Sequence, residues 1–390
     1  MVTTVLAAVL PAAGADLEVR EIQLAEPAAG QVQVRIAAAG VCHSDLSLAD
    51  GTLRQPVPAV LGHEGAGTIT AVGPDVPDLA VGDPVLLQWT PACRACWWCT
   101  HGEPHLCERA ADAAQVPYAT LLDGTPVYAG LGTGAFAEQT VVAAPAVLRL
   151  PPDFPLPAAA LLGCAVLTGV GAVFRTAGVR PGESVVVLGL GGVGLSALEG
   201  ARLAGADPVI AVDVNAAKEA LARQCGASAF LVADEALSAG VRDLTGGRGA
   251  DHAIECVGRA TTIRQAWSLT RRGGQTVVVG IGGKEDLVSF AALELFYFAR
   301  RIVGCVFGSS DPGRDIPELV DYWRQGRLDP GRLVTDHCGL EGIPDAFSRM
   351  RRGAGGRTLL VPGGGPLPGP GGPLPGPGGQ PLSPGEPPAG

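Results

Sequence analysis

Three groups of residues have the types and spacings of chemical machinery. The first is Gly40-Val41-Cys42-His43-Ser44-Asp45, answered downstream by Gly62-His63-Glu64. A thiol and an imidazole, each beside an acidic residue, are donors suited to a divalent zinc, with carboxylates at hand to orient them. Two donors do not complete a site. A third is available in Cys164, within Leu161-Leu-Gly-Cys-Ala-Val-Leu-Thr168-Gly169. Periodicity alone makes Cys164 a buried core thiol; joined to Cys42 and His63 it gives a Cys2His set with one coordination place left for water or substrate.

The second group, Cys93-x-x-Cys96-x-x-Cys99-x7-Cys107, is the most specific local signal in the chain. Four thiolates this close together, on a loop with Gly102 and Pro104, close a tetrahedron around zinc with no open place, which makes the site structural. His101 and His105 are alternative donors there, and a disulfide is the competing reading, disfavoured by the short spacings. The third group is Gly189-Leu190-Gly191-Gly192-Val193-Gly194, between an apolar run at 185–188 and a helical pattern. A second apolar run ends in Asp213, roughly 20 residues after the glycines. In that setting Gly189 permits a tight turn, Gly191 lets the backbone approach a pyrophosphate and Gly194 lets the helix pack closely, while the helix N-terminus offers N–H donors to phosphate. Asp213 suits a ribose diol and repels a 2′-phosphate, which favours NAD over NADP.

Two kinds of scaffold are needed to position these groups. Up to residue 150 the chain alternates Val/Ile-rich runs, such as 17–22 and 31–36, with turns at Pro27, Gly30, Gly73-Pro74 and Gly82-Asp83-Pro84, the signature of a mainly β domain. After Pro151-Pro152, strand and helix patterns alternate through Ile254, 277–279 and a helix-like 293–300 to a last strand at 301–307, the pattern of a doubly wound parallel sheet. A helix is expected over 316–325. The tail, with Gly-Gly-Pro-Leu-Pro-Gly-Pro at 364–370 repeated at 371–377, has too little apolar surface to fold and reads as a disordered spacer.

Composition narrows the chemistry. A chain of 390 residues exceeds one ordinary domain. A net charge of −10 argues against nucleic acid or an anionic membrane as partner, which leaves small-molecule chemistry. Residues 1–15 lack a basic leader and run into alternating strands, so they read as strand rather than export signal. The segment 154–174 carries no charge and is long enough to span a bilayer, but Pro155, Pro157, Gly163, Gly169 and Gly171 suit a packed interior better. Of ten cysteines, six fall in the metal-like positions; Cys225, Cys256, Cys305 and Cys338 read as free, mostly buried thiols, and the usage indicates a reducing, cytoplasmic compartment.

Taken in order, these motifs resemble the zinc-dependent medium-chain dehydrogenase/reductase family, the alcohol dehydrogenases with a GroES-like catalytic domain and a Rossmann domain. The resemblance covers residues 1–361 and rests on Gly-Val-Cys42-His-Ser-Asp, Gly62-His63-Glu64-Gly-Ala-Gly67, the four-cysteine loop, Gly163-Cys164, Gly189 to Gly194 and Asp213. Within the family, 121–125, 132–136 and 308–311 look most like a class III-like actinobacterial branch that includes mycothiol-dependent formaldehyde dehydrogenase. The resemblance implies an α/β protein with a GroES-like domain over 1–165, an NAD-binding Rossmann domain over 166–305, a return to the first domain over 306–362 and a tail over 363–390. It implies Cys42, His63 and Cys164 as ligands of a catalytic zinc, the Cys2His set of alcohol dehydrogenases, with Cys93, Cys96, Cys99 and Cys107 on a second zinc.

The resemblance also implies roles residue by residue. Ser44 takes the substrate alcohol's proton and passes it toward the nicotinamide ribose, Asp45 orients His63, and Glu64 sits close behind the zinc. His43 and Arg357 fall where relatives contact the pyrophosphate, Thr168 and Val193 near the nicotinamide, and Gly192 in the phosphate turn. Lys218 falls near the adenosine ribose. Leu53, Trp89, Gly130, Leu131 and Ile281 line a substrate pocket, with Gly130 making it roomier. Many relatives place a histidine three residues after the relay hydroxyl; here that residue is Ser47, so the outer end of the proton path runs through water. The expected activity is NAD-linked interconversion of an alcohol and an aldehyde in a homo-oligomer, dimer or tetramer. The alternative substrate is the S-hydroxymethyl adduct of mycothiol with formaldehyde. A catalytically silent nucleotide-binding protein is the remaining rival, opposed by the intact zinc ligands and Ser44.

Overall fold

A computed structural model describes residues 2–363. The repeated Pro/Gly tail, from residue 364 on, lies outside the described residues. The chain divides into two units. Of the described residues, the first comprises those up to Cys164, Asp311–Arg352 and 357–363; the second comprises Ala165–Ser310 and Gly353–Gly356.

In the first unit, alternating apolar residues build two β assemblies. Strands Thr3–Leu10, Glu18–Leu24, Pro117–Leu121, Pro126–Ala129 and Ala59–Val60 close, in that order, into a small barrel. A seven-stranded sheet runs Val147–Arg149, Pro84–Leu87, Glu64–Val72, Gln31–Val41, Arg357–Leu360 and Val334–Cys338, with Gln139–Ala143 also pairing with Gln31–Val41. Inward residues including Val9, Leu10, Ile22, Val34, Leu61, Ile69 and Phe136 form its core. This is the GroES-like domain, and Arg357–Leu360 stitches the C-terminal part onto Gln31–Val41, with Thr358 opposite Val41.

The second unit holds six parallel strands in the order Ala229–Val232, Val209–Asp213, Val185–Leu188, Ala250–Glu255, Thr270–Val278 and Arg301–Gly304. The order reverses beside Val185–Leu188, which makes this a Rossmann-type sheet and puts the ligand crevice at the carboxyl end of that strand. Val185 to Leu188 are all buried, as strands covered on both faces must be. The fold is therefore α/β, as expected.

Several elements differ in extent from the sequence reading. The last strand stops at Gly304, because Phe307, Gly308 and Ser309 adopt left-handed φ values of 52°, 68° and 50°, which no strand continues through. The helix expected over 316–325 starts at Pro312 and ends at Arg324. Its cap is Asp311, whose side chain accepts the Gly313 N–H at 3.2 Å, and proline at the first helical position suits an N–H that would otherwise be unpaired. The uncharged segment is a helix, Leu156–Ala177, long and apolar enough to cross a membrane by length and composition; 89% of its most apolar window is buried in the protein. Cys225 and Cys305 are buried, whereas Cys256 and Cys338 are half-buried, and among the described residues none of the four is in a disulfide.

Candidate active site

Cys42 ends the strand Gln31–Val41 and caps the helix His43–Ala49 in an extended conformation. Gly40 faces Glu64 in the antiparallel register, so Cys42 and His63 leave neighbouring strand ends side by side. Gly62, at φ 90°, has no room for a side chain: a Cβ there would lie 2.6 Å from the Phe136 nitrogen. Cys164 sits in a π-helical turn, Leu162–Val166, the kind of local widening that re-aims a side chain and recurs at functional sites. The preceding Gly163 lets this helix lie on the strand Pro84–Leu87, since a Cβ would meet the Leu87 carbonyl at 2.6 Å.

The donors of Cys42, His63, Glu64 and Cys164 lie within 4.8 Å of one another, and all four residues are buried. Asp45 organises the cluster from behind. Its carboxylate accepts the backbone N–H of Cys42 at 3.1 Å and of Gly62 at 3.0 Å, and contacts His63 Nδ1 at 2.9 Å. That contact makes Nδ1 the donor to Asp45 and leaves Nε2, buried and without a hydrogen-bond partner among the described residues, as the ring nitrogen a metal would take in place of a proton. Arg357 Nη2 donates to Glu64 Oε1 at 2.5 Å and lies 3.5 Å from Cys42 Sγ, while Nη1 donates to the Val41 carbonyl at 3.2 Å. Ser44 Oγ is 3.9 Å from Cys42 Sγ.

The electrostatics are those of a site built around a cation. A hydrogen bond from Cys164, with the charges of Arg357 and His63, holds the Cys42 thiol well below its usual range despite burial. The same bond and burial push Cys164 up. Burial disfavours a charged His63, yet Asp45 and Cys42 outweigh it and raise the imidazole well above its usual value. Burial pushes Glu64 up to about 8, with Arg357 pulling the other way. Two sulfurs, an unpartnered imidazole nitrogen and a held carboxylate fit zinc, and Glu64 Oε2, also buried without a partner, points to a fourth donor that sequence reading placed only behind the metal.

The second cluster fits zinc more simply. Sγ distances of 3.9 Å for Cys93–Cys99 and 4.0 Å for Cys96–Cys107 exclude disulfides. They match the ~3.8 Å edge of a tetrahedron with Zn–S of about 2.3 Å. Backbone N–H groups of Cys93 and Cys96 donate to Cys107 and Cys93 sulfurs at 3.3 Å. Such bonds, from the amides of Ala95 and Cys96 first, draw the Cys93 thiol down to about 6. His101 is stacked on Trp97 with ring centres 4.2 Å apart, and its Nδ1 bonds the Trp97 carbonyl, so the four thiols alone form the cluster. Arg94, which sequence reading passed over, reaches from this loop to Asp311 in a two-pronged pair of 2.7 and 2.6 Å.

In the second unit, Gly189 at φ 87° makes the turn after Val185–Leu188, and a Cβ on Gly194 would lie 1.9 Å from the Gly189 carbonyl. Gly191 instead opens onto free space, as the residue facing a pyrophosphate should. Asp213 is buried at its strand end, accepting the N–H of Leu190 at 2.8 Å and of Asn215 at 2.9 Å, with Lys218 Nζ at 3.3 Å. Gly169 brings the helix carrying Thr168 against Val193, since a Cβ would meet the Val193 carbonyl at 2.4 Å. Gly192 opens the helix Gly192–Leu203.

His43 is exposed, Ser44 half-buried and Ser47 buried. Trp89 lies edge-on to the His63 ring at 6.3 Å; Leu53 and Leu131 are half-buried, and Ile281 is exposed in the second unit. At Gly130 a Cβ would lie 2.7 Å from the Leu61 Cα, so glycine there lets two backbone segments approach closely.

A GroES-like domain bearing a Cys/His/Glu metal cluster, a four-thiol cluster and a Rossmann-type sheet defines a zinc-dependent oxidoreductase. The family model "Alcohol dehydrogenase GroES-like domain" matches residues 28–152, and "Zinc-binding dehydrogenase" matches residues 192–323. The chain is 36% identical over 372 residues to the S-(hydroxymethyl)glutathione dehydrogenase of Paracoccus denitrificans, spanning 91% of this chain and 99% of that protein. It is also 36% identical over 372 residues to the NDMA-dependent alcohol dehydrogenase of Amycolatopsis methanolica, spanning 91% and 98%. The solved structure of benzyl alcohol dehydrogenase from Acinetobacter calcoaceticus superposes with a TM-score of 0.85 at 31% identity, covering 92% of this chain and 99% of that one. The chain belongs to the zinc-containing medium-chain dehydrogenase/reductase family, among its class III-like alcohol dehydrogenases, and is an oxidoreductase acting on CH–OH groups.

Proposed function

We propose that the protein interconverts small alcohols and aldehydes with NAD as hydride acceptor, Cys42, His63 and Cys164 holding the catalytic zinc. The observation that carries the reading is the buried donor set, with His63 Nε2 kept free by the Asp45 contact and a hydroxyl, Ser44, 3.9 Å from Cys42 Sγ. Zinc held by these residues would supply Lewis acidity to a substrate oxygen, and a bound dinucleotide would supply the acceptor for hydride. The chain's own residues do the rest. Asp45 fixes the His63 tautomer and ring angle; Arg357 holds Glu64 beside the sulfurs, limiting the charge the cluster accumulates. Ser44, half-buried at the start of its helix, takes the alcohol proton as the bond to hydride weakens and returns it to an aldehyde in reverse. With Ser47 one turn on, no imidazole follows, and the proton leaves through solvent.

Asp213 supports NAD over NADP, because a buried carboxylate at the end of Val209–Asp213 repels a 2′-phosphate. Exchange to Ser should lower the ratio of NAD to NADP efficiency; an unchanged ratio contradicts the assignment. The strand Arg301–Gly304 is an edge of the six-stranded sheet with Ile302 exposed and Phe296 82% exposed nearby in sequence, which supports burial against a second copy of the chain. The mass in solution tests it, a monomer counting against.

A second substrate reading is oxidation of the S-hydroxymethyl adduct of mycothiol with formaldehyde; relatives named S-(hydroxymethyl)glutathione dehydrogenase support the thiol-adduct class, with glutathione as the thiol in their names. NADH formation from an alcohol panel and from formaldehyde, with and without each thiol, separates the two. Turnover of simple alcohols without thiol supports the first; thiol-dependent turnover of formaldehyde alone supports the second.

A further inference from the structure

Glu255 is the last residue of the strand Ala250–Glu255, directly beside Leu188, at the point where the strand order reverses. It is fully buried, yet among the described residues it pairs with no cation. One carboxyl oxygen, Oε1, accepts the backbone N–H of Val257 at 2.9 Å, that of Gly258 at 2.9 Å and the Thr262 hydroxyl at 2.7 Å. The other, Oε2, is buried without a partner. Its backbone carbonyl accepts the N–H of Val279 at 2.8 Å and of Gly280 at 3.1 Å. A single residue thus gathers the loops that follow two adjacent strands.

Those loops interlock with the glycine turn. Val257 Cγ2 stands 2.4 Å from where a Gly189 Cβ would be, so it seats directly on that glycine. A Cβ on Gly258 would lie 2.5 Å from the Ile281 carbonyl carbon, and one on Gly280 would lie 2.1 Å from the Gly258 nitrogen. Backbone this close on both sides leaves the Val257-Gly258 segment no alternative seat as long as its two N–H groups are held. Thr262 extends the hold into the helix Ala260–Leu269 by bonding the Arg259 carbonyl at 3.0 Å as an alternative acceptor for the same hydroxyl.

We propose that Glu255 is a positioning residue for the dinucleotide: through Val257 and Gly258 it sets the wall that packs on the Gly189 turn, and affinity for the cofactor depends on it. The inference rests on the NAD-linked reading above. Burial raises the Glu255 carboxyl above its usual range, against the pull of Thr262 and the two amides; because Oε1 alone takes all three donors, an amide oxygen in its place can accept them too. Loss of the acceptor frees the N–H of Val257, at the exposed edge of the loop, and that of the buried Gly258, and the loop must then turn them to water or leave the buried one unpaired.

The test is titration of the zinc-loaded protein with NADH, followed by the change in fluorescence, for Glu255→Ala, Glu255→Gln and Thr262→Val, alongside thermal melting and steady-state kinetics. The account predicts that Glu255→Ala raises the NADH dissociation constant and the KM for NAD by about tenfold or more with kcat changed several-fold less. Glu255→Gln, whose amide oxygen can accept the same donors, should stay within about threefold of wild type, and Thr262→Val should fall between. Should Glu255→Ala not fold, Thr262→Val still reads the effect, and NADH affinity equal to wild type in that variant overturns the proposal. Glu255→Ala folded with wild-type NADH affinity overturns it as well. A wild type that binds no dinucleotide refutes the cofactor reading itself, an outcome distinct from either.

Discussion

Asp45 should control metal retention at the Cys42/His63/Cys164 cluster while leaving the four-thiol site untouched. The carboxylate is wholly buried and serves three donors: the Cys42 N–H, the Gly62 N–H and the His63 Nδ1–H. In Asp45→Asn the amide oxygen can keep Gly62 and His63, but the amide nitrogen then faces the Cys42 N–H, donor against donor. One buried N–H left unpaired costs about 1–3 kcal/mol, which sets the expected loss in urea unfolding. His63 also loses the charge that fixes its ring, and removal of such a partner typically weakens zinc by about 10–100-fold, roughly 1.4–2.7 kcal/mol. Equilibrium competition with a chromophoric chelator measures it. The variant should surrender one zinc per chain at chelator levels where wild type keeps both, the four-thiol cluster serving as internal control. Equal retention by variant and wild type would refute the role of Asp45 in holding His63.

Two further outcomes follow from packing and charge. Gly40→Ala should cost about 1–3 kcal/mol and lower turnover, because the new Cβ would lie 2.1 Å from Glu64 Oε2 and 2.9 Å from Leu161 Cδ2 in a buried site where Arg357 holds the carboxylate; denaturant unfolding and kcat check it, and an unaltered protein contradicts the close approach. For Asp251, burial raises the carboxyl but the Ser184 amide and hydroxyl and the Arg271 guanidinium bring it down to about 2. A folded value below the unfolded one means the stabilisation is complete above the unfolded value and lost as pH falls from about 4 towards 2. The stability gap between wild type and Asp251→Asn should therefore be about 1–2 kcal/mol near neutrality, discounted for partial exposure, and shrink over that window; a gap independent of pH contradicts the assignment.

Local spacing made the donors legible. Four cysteines within one short loop, or glycines between a strand and a helix, carry their chemistry in a window of a few residues, and the structure brings each set together. Cys164 was legible only as a candidate, since nothing in an apolar helix announces the π-helical turn that aims it at Cys42. Arg357 shows the limit more sharply. The resemblance assigned it to the pyrophosphate and said nothing of its protein partners: its guanidinium bonds Glu64 and the Val41 carbonyl, hundreds of positions earlier, joined to it by the pairing of Arg357–Leu360 with Gln31–Val41. Gly130 hides its partner in the same way: the sequence shows a missing side chain, and the structure shows the Leu61 backbone that needs it missing. Element ends were misjudged where the signal was conformational, as at the left-handed Phe307-Gly308-Ser309 turn, or lay in a cap such as Asp311.

The central claim is that two metal clusters coexist, one for chemistry and one for structure. Zinc per chain, measured by atomic emission on wild type, Cys42→Ala and Cys107→Ser, tests it most directly. The account predicts two zinc ions in wild type. It predicts one in Cys42→Ala with turnover abolished and the fold kept, and loss of the other ion with loss of stability in Cys107→Ser. A single zinc in fully active wild type, or turnover surviving Cys42→Ala, would contradict it.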